Sequence, residues 1–478
     1  MCTHTVAVAT LLWAGMTPAL CQSTAASIRT GAEAAQQVAT QTGLCQRPAV
    51  VQYVTQIGNR LVNQLGRQPF PYKFAVADMA QPNAFSLPGG FVYASRGIIA
   101  VTNSEDELAG ILAHEILHVE GKHAGKAEKR SILPGILTIP GNLTGMANRQ
   151  AAGILQVPVK STSRLSLAQY GTSQETESDV QGAALAARAG YNPSGWKDCL
   201  GRLSRTAAFF TGDLEKFSYF NDHPFIPDRI KRLDKDTSKL VPTLQPAIAK
   251  DREDFLRRIE GIVLGRDPAH GILNRNVFLH PDLNLRMELP SDWQPFHTAI
   301  AFGATAPTGK GQIVVGLESG FKDPEEAALA HARAIESEIK QKPAQPEKVD
   351  INGHNGYLLT YEEGGKKPVT VHLLWVSIDS RLLRMAGAGA AEYRSAMRES
   401  FFTLRTLTAA ERQEITVVRL SLAPARSGES LEAFSKRTGN VLPDELTAAL
   451  NDIHTGQNPP AGRILKIGRR EAYVGRKP

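Results

Sequence analysis

The sequence predicts a mainly α domain carrying a small β edge hairpin, followed by an α+β domain and a small βααβ unit. Three observations carry that reading. Apolar residues recur at helical spacing over 50–65, 107–124 and 174–189. From about residue 276 the pattern changes to short strand-like runs with two helical stretches among them. The last stretch, 415–467, reads strand, helix, helix, strand. At 478 residues, 42% hydrophobic and 21% charged, the chain has material for about two to four domains with sizeable cores.

The N-terminus is apolar from Val6 to Leu20 and then turns polar. It reads as a signal peptide over 1–23, too short for a comfortable membrane span, although no Lys or Arg precedes it. That places the mature chain in the periplasm, as a soluble protein or one peripheral to the outer membrane. Bulky Leu20 before Cys21 argues against lipidation. The remaining cysteines, Cys45 and Cys199, are then expected to form one disulfide. The net charge of +7 is mild for this length, no nucleic-acid module is visible, and a solvated surface accounts for it.

The first domain is expected over 24–255. After the helix at 50–65 comes a strand at 71–77. Runs at 83–87 and 91–95 flank Pro88-Gly89-Gly90, a hairpin held to an edge position by its proline. Asn103 to Asp106 offer caps for the central helix. Between Glu128 and Glu175 no acidic residue occurs. The Ile-, Leu-, Gly- and Pro-rich part at 131–156 reads either as an apolar flap or as a buried connection. Helices follow at 174–189, 194–209, 227–233 and 251–264, the first closed by Gly190 and Pro193.

The second domain is expected over 270–408, with strands at 283–289, 298–302, 312–317, 356–361, 369–378 and 381–386 and helices at 324–340 and 391–404. His280, His297, His331, His354 and His372 within it show no ligand spacing with one another. Gly303 to Lys310 fails as a phosphate loop, because Gly311 stands where Ser or Thr is needed. The unit at 411–470 loosely resembles a LysM module, a family that binds N-acetylglucosamine polymers such as peptidoglycan. An adaptor without a ligand is the other reading.

The chemistry is concentrated in the central helix. His114, Glu115 and His118 form an H-E-x-x-H. Residues i and i+4 share a helix face, so two imidazoles can grip one zinc ion while Glu115 holds and deprotonates a water. A third ligand is needed. His123 stands one residue short of the metzincin position, which is Ala124. Glu128 lies about 15 Å along a continuing helix, out of reach. Glu175 is the next acid and is taken as the third ligand. Asp179, one turn on, shares its face and can fix the tautomer of a ligand histidine. His223, before Pro224, has two readings: a hydrogen-bond donor to the oxyanion, or a resting ligand in the open zinc position. Arg229 can pair with Asp179 or stabilise the oxyanion.

These residues reach a family. Asn83 to Gly90, His114-Glu115-x-x-His118, Glu175-x-x-x-Asp179-x-x-Gly182, Ala189 to Pro193 and His223-Pro224 occur in that order. Together they resemble the gluzincins related to the CAAX prenyl endopeptidases and HtpX, most of all their soluble periplasmic BepA-like branch. The resemblance covers about residues 45–240. It implies a metalloprotease domain with one Zn2+ per chain, ligands His114, His118 and Glu175, and catalytic Glu115. Ser178 stands where the family carries alanine, and no helical 34-residue repeat follows residue 250.

The expected activity is zinc-dependent endopeptidase cleavage of unfolded or misassembled envelope proteins. The edge strand with Asn83, Ala84 and Phe85 is expected to pair with an extended substrate backbone. The competing class is a binding protein: an envelope scaffold, or a peptidoglycan binder, whose zinc site is inactive or plugged by its own side chain.

Overall fold

The structure is a computed structural model. It describes residues 17–121, 123, 128–131, 166–206, 219–223, 227–364, 368–454 and 456–475. The expected apolar flap at 131–156 and most of the expected signal peptide lie outside the described residues. Among the described residues, no helix is long and apolar enough to cross a membrane.

The described residues begin with α1 (Thr17–Gln37), which runs across position 23 and continues in a short π-helical turn. Next come α2 (Pro48–Val62), β1 (Lys73–Ala77), β2 (Ala84–Leu87), β3 (Phe91–Ser95), α3 (Arg96–Val101) and α4 (Glu105–Glu120). Proline at the first position starts α2, where its missing N–H costs nothing. The expected hairpin is present: β2 pairs antiparallel with β3, which pairs parallel with β1. The order β1-β3-β2 leaves β2 at an edge of its sheet.

The central helix α4 is capped by Ser104, whose hydroxyl accepts from the Glu107 N–H. Three acids in the first turn face the positive end of the helix dipole. Every residue from Glu107 to Val119 is buried, so α4 threads the core instead of lying on it. It packs against α2, β2, and two helices that follow the strand pair β4 (Glu128–Ser131) and β5 (Ser166–Gln169). These are α5 (Thr172–Arg188) and α6 (Gly195–Thr206). Two glycines set the spacing. A Cβ on Gly110 would meet the Trp196 backbone nitrogen at 2.8 Å, and one on Gly182 would meet the His114 nitrogen at 3.1 Å. The sequence continues through α7 (Tyr219–Asp222), α8 (Pro227–Thr237) and α9 (Arg252–Ile259). The last is shorter than expected because Gly261 takes φ +82°, which ends the helix and leads into β6 (Val263–Leu264).

Beyond residue 270 the fold is α+β. A three-stranded antiparallel sheet joins β7 (Ile272–Asn274), β8 (Val277–His280) and β9 (Leu285–Glu288). A seven-stranded antiparallel sheet joins β10 (Gln294–His297), β11 (Ala301–Thr305), β12 (Gly311–Leu317), β13 (Gln345–Ile351), β14 (His354–Glu363), β15 (Val369–Ile378) and β16 (Arg381–Ala390). Its order is β10-β11-β12-β16-β15-β14-β13. Helices α10 (Pro324–Ile339) and α11 (Arg394–Phe402) pack on this sheet, and α12 (Ala409–Glu414) follows. Sequence reading missed β10 and β13. Both are edge strands, where polar residues and proline blunt the alternation that marks inner strands.

The final unit is β17 (Thr416–Pro424), α13 (Leu431–Thr438), α14 (Asp444–Leu450) and β18 (Ile464–Ala472), with β17 and β18 antiparallel. It is built into the first domain instead of hanging from it. β17 also pairs with β6, and Leu420, Leu446 and Leu450 share one core with α2, α4, α5 and α6. Lys466 of β18 is fully buried at the end of α3. Its ammonium donates to the carbonyls of Ala100, Val101 and Thr102 at 2.8, 3.0 and 3.0 Å, which serves the open C-terminal end of α3. Arg202 of α6 bridges Glu107 of α4 and Asp452 of the final unit.

This junction yields a stability prediction. Lys466→Met takes this donor from the Ala100 and Thr102 carbonyls, while Val101 keeps Arg202 Nη1 at 3.3 Å, and should cost about 2–4 kcal/mol in urea unfolding of the full chain. A loss under about 0.5 kcal/mol would mean that the lysine does not hold α3 in place.

Candidate metal centre

Three segments meet at one buried point. α4 presents His114, Glu115 and His118 from one stretch of helix. α5 presents Glu175 and Asp179, which the i, i+4 spacing puts on its inner face. His223 follows α7, whose place is fixed by the Tyr219 N–H donating to the Pro82 carbonyl and the Tyr170 N–H donating to the Asp222 carbonyl. All these side chains are at most 3% exposed.

Four ligand-type side chains, His114, His118, Glu175 and His223, offer atoms that lie within 4.8 Å of one another. His114 Nε2 is 3.0 Å from His118 Nε2 and 3.3 Å from His223 Nδ1. Glu175 Oε1 is 3.2 Å from His118 Nε2 and 3.0 Å from His223 Nδ1. Tetrahedral zinc with bonds of about 2.0–2.1 Å holds its ligand atoms about 3.3 Å apart, so these separations fit the edges of such a site. The chemistry fits as well. Imidazole and carboxylate are zinc donors, and nitrogens facing one another at 3.0 Å call for a cation or a proton between them.

Around this ring lies a layer of partners. His114 Nδ1 is 3.1 Å from Asp179 Oδ1. Asp179 also accepts from Trp196 Nε1 and from Arg229 Nε and Nη2, each at 2.8 Å. Arg229 Nη1 lies 2.7 Å from Glu175 Oε2. One buried guanidinium therefore serves the two inward carboxylates of α5, Glu175 and Asp179. Tyr170 stacks on His118 at 3.7 Å between ring centroids, and Tyr219 on His223 at 4.3 Å. His118 Nδ1 is 3.0 Å from His123 Nδ1, and His123 Nε2 is 3.5 Å from Glu177 Oε2.

The charges follow from burial and neighbours. Burial raises the Glu115 carboxyl above the usual carboxylate range, against the pull of His223 and His114. Burial acts the same way on Glu175, but His223 and His118 outweigh it and hold Glu175 well below that range. Burial lowers His118. It opposes charge on His223 too, yet Glu175 and Glu115 raise that imidazole to about 9. Neither Glu115 oxygen meets hydrogen-bond geometry with a protein donor, and His223 Nε2 sits 3.4 Å from its Oε1.

The structure thus brings together His114, His118, Glu175, Asp179, His223 and Glu115. Asn83, Ala84 and Phe85 lie beside the centre but are at most 2% exposed, and the Asn83 amide donates to Asp222. One expectation is corrected. Cys45 and Cys199 are free thiols, not a disulfide. Cys199 is fully buried in α6, whereas the Cys45 backbone is tied by its N–H to the Val76 carbonyl at β1, so each is fixed by its own element. Sequence reading missed Tyr170, Tyr219, Trp196 and the role of Glu177. It set His123 aside as one residue short of the metzincin position. The one signal was His123 lying five residues after His118 and just beyond Gly121.

The fold and this centre define a class of site: an H-E-x-x-H helix with its third donor on a second helix, a donor set suited to zinc. Residues 48–237 match the model of peptidase family M48. The beta-barrel assembly-enhancing protease of Escherichia coli O157:H7 is 24% identical over 216 residues, covering 44% of this chain and 43% of its own. The putative beta-barrel assembly-enhancing protease of Vibrio cholerae is 27% identical over 231 residues, 45% of each chain. The mitochondrial metalloendopeptidase OMA1 of Schizosaccharomyces pombe is 27% identical over 184 residues, covering 38% of this chain and 52% of its own. The chain thus spans about half the length of the curated relatives it matches.

The Asp179 environment predicts a pH dependence. Its carboxyl, buried but bonded to His114 and Arg229, is held down to about 2 from an ordinary 3.8. An acid lowered in the folded state gives stability that is complete above its unfolded value and lost as pH falls through its folded value. In the metal-free protein, Asp179→Asn should therefore cost on the order of 2 kcal/mol above pH 4, with the gap closing between pH 4 and 2. Urea unfolding across that range measures it; a gap that stays constant down to pH 2 contradicts the assignment.

Proposed function

We propose that the chain is a zinc-dependent endopeptidase of the cell envelope that hydrolyses peptide bonds in unfolded or misassembled proteins. The observation that carries this is the ring of four donors with the fully buried Glu115 carboxylate beside it, 3.4 Å from His223 Nε2. His114, His118 and Glu175 hold the metal in this reading. His223 takes the fourth corner at rest. A zinc ion held there supplies Lewis acidity, lowering the pKa of a bound water and polarising a carbonyl. Glu115, raised by burial, takes a proton from the attacking water and delivers it to the amide nitrogen as the C–N bond breaks. The products are a carboxylate and an amine. The outer edge of β2 is the place for an extended substrate. Ala84 to Leu87 are buried at rest, so this edge would have to be uncovered before a substrate backbone could pair with it, in a mode that favours unfolded segments over one sequence.

The setting is the periplasm, as the N-terminal apolar stretch and the beta-barrel assembly-enhancing relatives suggest. The residues at 411–470 are read as an adaptor bound to the peptidase core instead of a glycan-binding module, in keeping with Lys466 and the shared hydrophobic core.

A second reading has its own support. His223 Nδ1 fills the fourth corner while its Nε2 faces Glu115, so one ring obstructs both the seat of the water and the base. The resting enzyme would then be self-plugged.

Two experiments test these readings. Glu115→Gln should lower cleavage of an unfolded test protein by about 10²–10⁴-fold with zinc still bound. Equal cleavage by both proteins would remove the protease assignment. His223→Ala should raise basal cleavage severalfold if the ring is a plug. A fall of about 10²-fold or more would make it an oxyanion donor instead.

A further inference from the structure

We propose that His123 and Glu177 are positioning residues that fix the tautomer and orientation of His118 through an imidazole-to-carboxylate relay. The proposal rests on the reading of His118 as a zinc ligand and adds what holds that ligand in place.

The two helix histidines have different supports. His114 faces a carboxylate directly, Asp179 Oδ1 at 3.1 Å from its Nδ1. His118 has no carboxylate at its Nδ1. It meets another imidazole, His123 Nδ1, at 3.0 Å. The far nitrogen of His123 points to Glu177 Oε2 at 3.5 Å. One proton arrangement makes this line consistent with a ligand. If His118 Nε2 turns its lone pair to the donor ring, its proton sits on Nδ1 and is donated to His123 Nδ1. His123 then carries its own proton on Nε2 and donates it to the Glu177 carboxylate. Each step fixes the next, and the carboxylate end selects the neutral tautomer His118 needs.

The local fold is shaped to allow this. His123 lies just past the end of α4 yet is 3% exposed and folded back toward the helix. Gly121 makes the room. Its φ is −68°, ordinary for any residue, but a Cβ there would stand 2.2 Å from His123 Nε2. Glycine at 121 is thus explained by the imidazole and not by the backbone. Tyr170 stacks on His118 and meets His123 edge-on at 6.3 Å, closing the side of the pair. Glu175 and Glu177, two residues apart on α5, serve the two ends of one line: Glu175 Oε1 lies 3.2 Å from His118 Nε2, and Glu177 reaches His123 from the half-exposed outer side.

The test measures zinc affinity of the full chain by competition with a chromophoric chelator. His123→Ala should weaken binding about 10–100-fold and Glu177→Ala severalfold. Because both act along one line, the double variant should match His123→Ala alone. Cobalt(II) in place of zinc adds a spectroscopic readout. The visible bands of His123→Ala should shift or broaden while thermal unfolding of the metal-free chain stays near wild type. If His123→Ala fails to fold, Glu177→Ala, altered at a half-exposed position, still reports through affinity and cobalt bands. Wild-type zinc binding with unchanged affinity in both variants, or additive losses in the double, overturns the relay and leaves the zinc reading standing. Absence of zinc binding by the wild type overturns both.

Discussion

The domain depends on one electrostatic conflict: four ligand atoms from three segments, all without solvent, converging within 4.8 Å. Two imidazole nitrogens at 3.0 Å and a carboxylate at 3.2 Å would separate if their segments were free to move. They stay because each segment is fixed from behind. α4 is buried on every side, α5 is drawn in by Arg229, and His223 is stacked on Tyr219. A divalent cation resolves the conflict, which is why the arrangement reads as a metal centre and not as a set of satisfied core histidines.

The surroundings convert that constraint into positions. Gly182 lets α5 approach the His114 backbone, and Gly110 lets α6 approach α4. Arg229 neutralises two carboxylates that would otherwise repel along α5. The C-terminal unit enters the same framework from below, with Lys466 under α3 and Arg202 joining the first turn of α4 to Asp452. Residues more than three hundred positions away in sequence thus brace the start of the helix that bears His114 and His118.

Much of this was legible in the sequence because helical periodicity and i, i+4 spacing are local. The central helix, its Ser104 cap, the helix with Glu175 and Asp179, and the hairpin at 84–95 all follow from short-range pattern. What local pattern cannot carry was missed. His123 and Glu177 meet only when two helices cross, 54 positions apart. The edge strands β10 and β13 lack inner-strand alternation. The two cysteines suggested a bridge by number alone, but each is held by its own element. The βααβ unit resembled an independent module because its strands and helices are self-contained in order; its share in the peptidase core is a property of packing.

The central claim is that three imidazoles and one carboxylate form a single tetrahedral zinc site in the resting chain. Zinc-edge X-ray absorption of the zinc-loaded protein tests it most directly. The account predicts one zinc per chain, about four nitrogen or oxygen neighbours at 2.0–2.1 Å, and outer-shell scattering from about three imidazole rings. A sulfur neighbour near 2.3 Å, or a shell with no more than one imidazole, would contradict it.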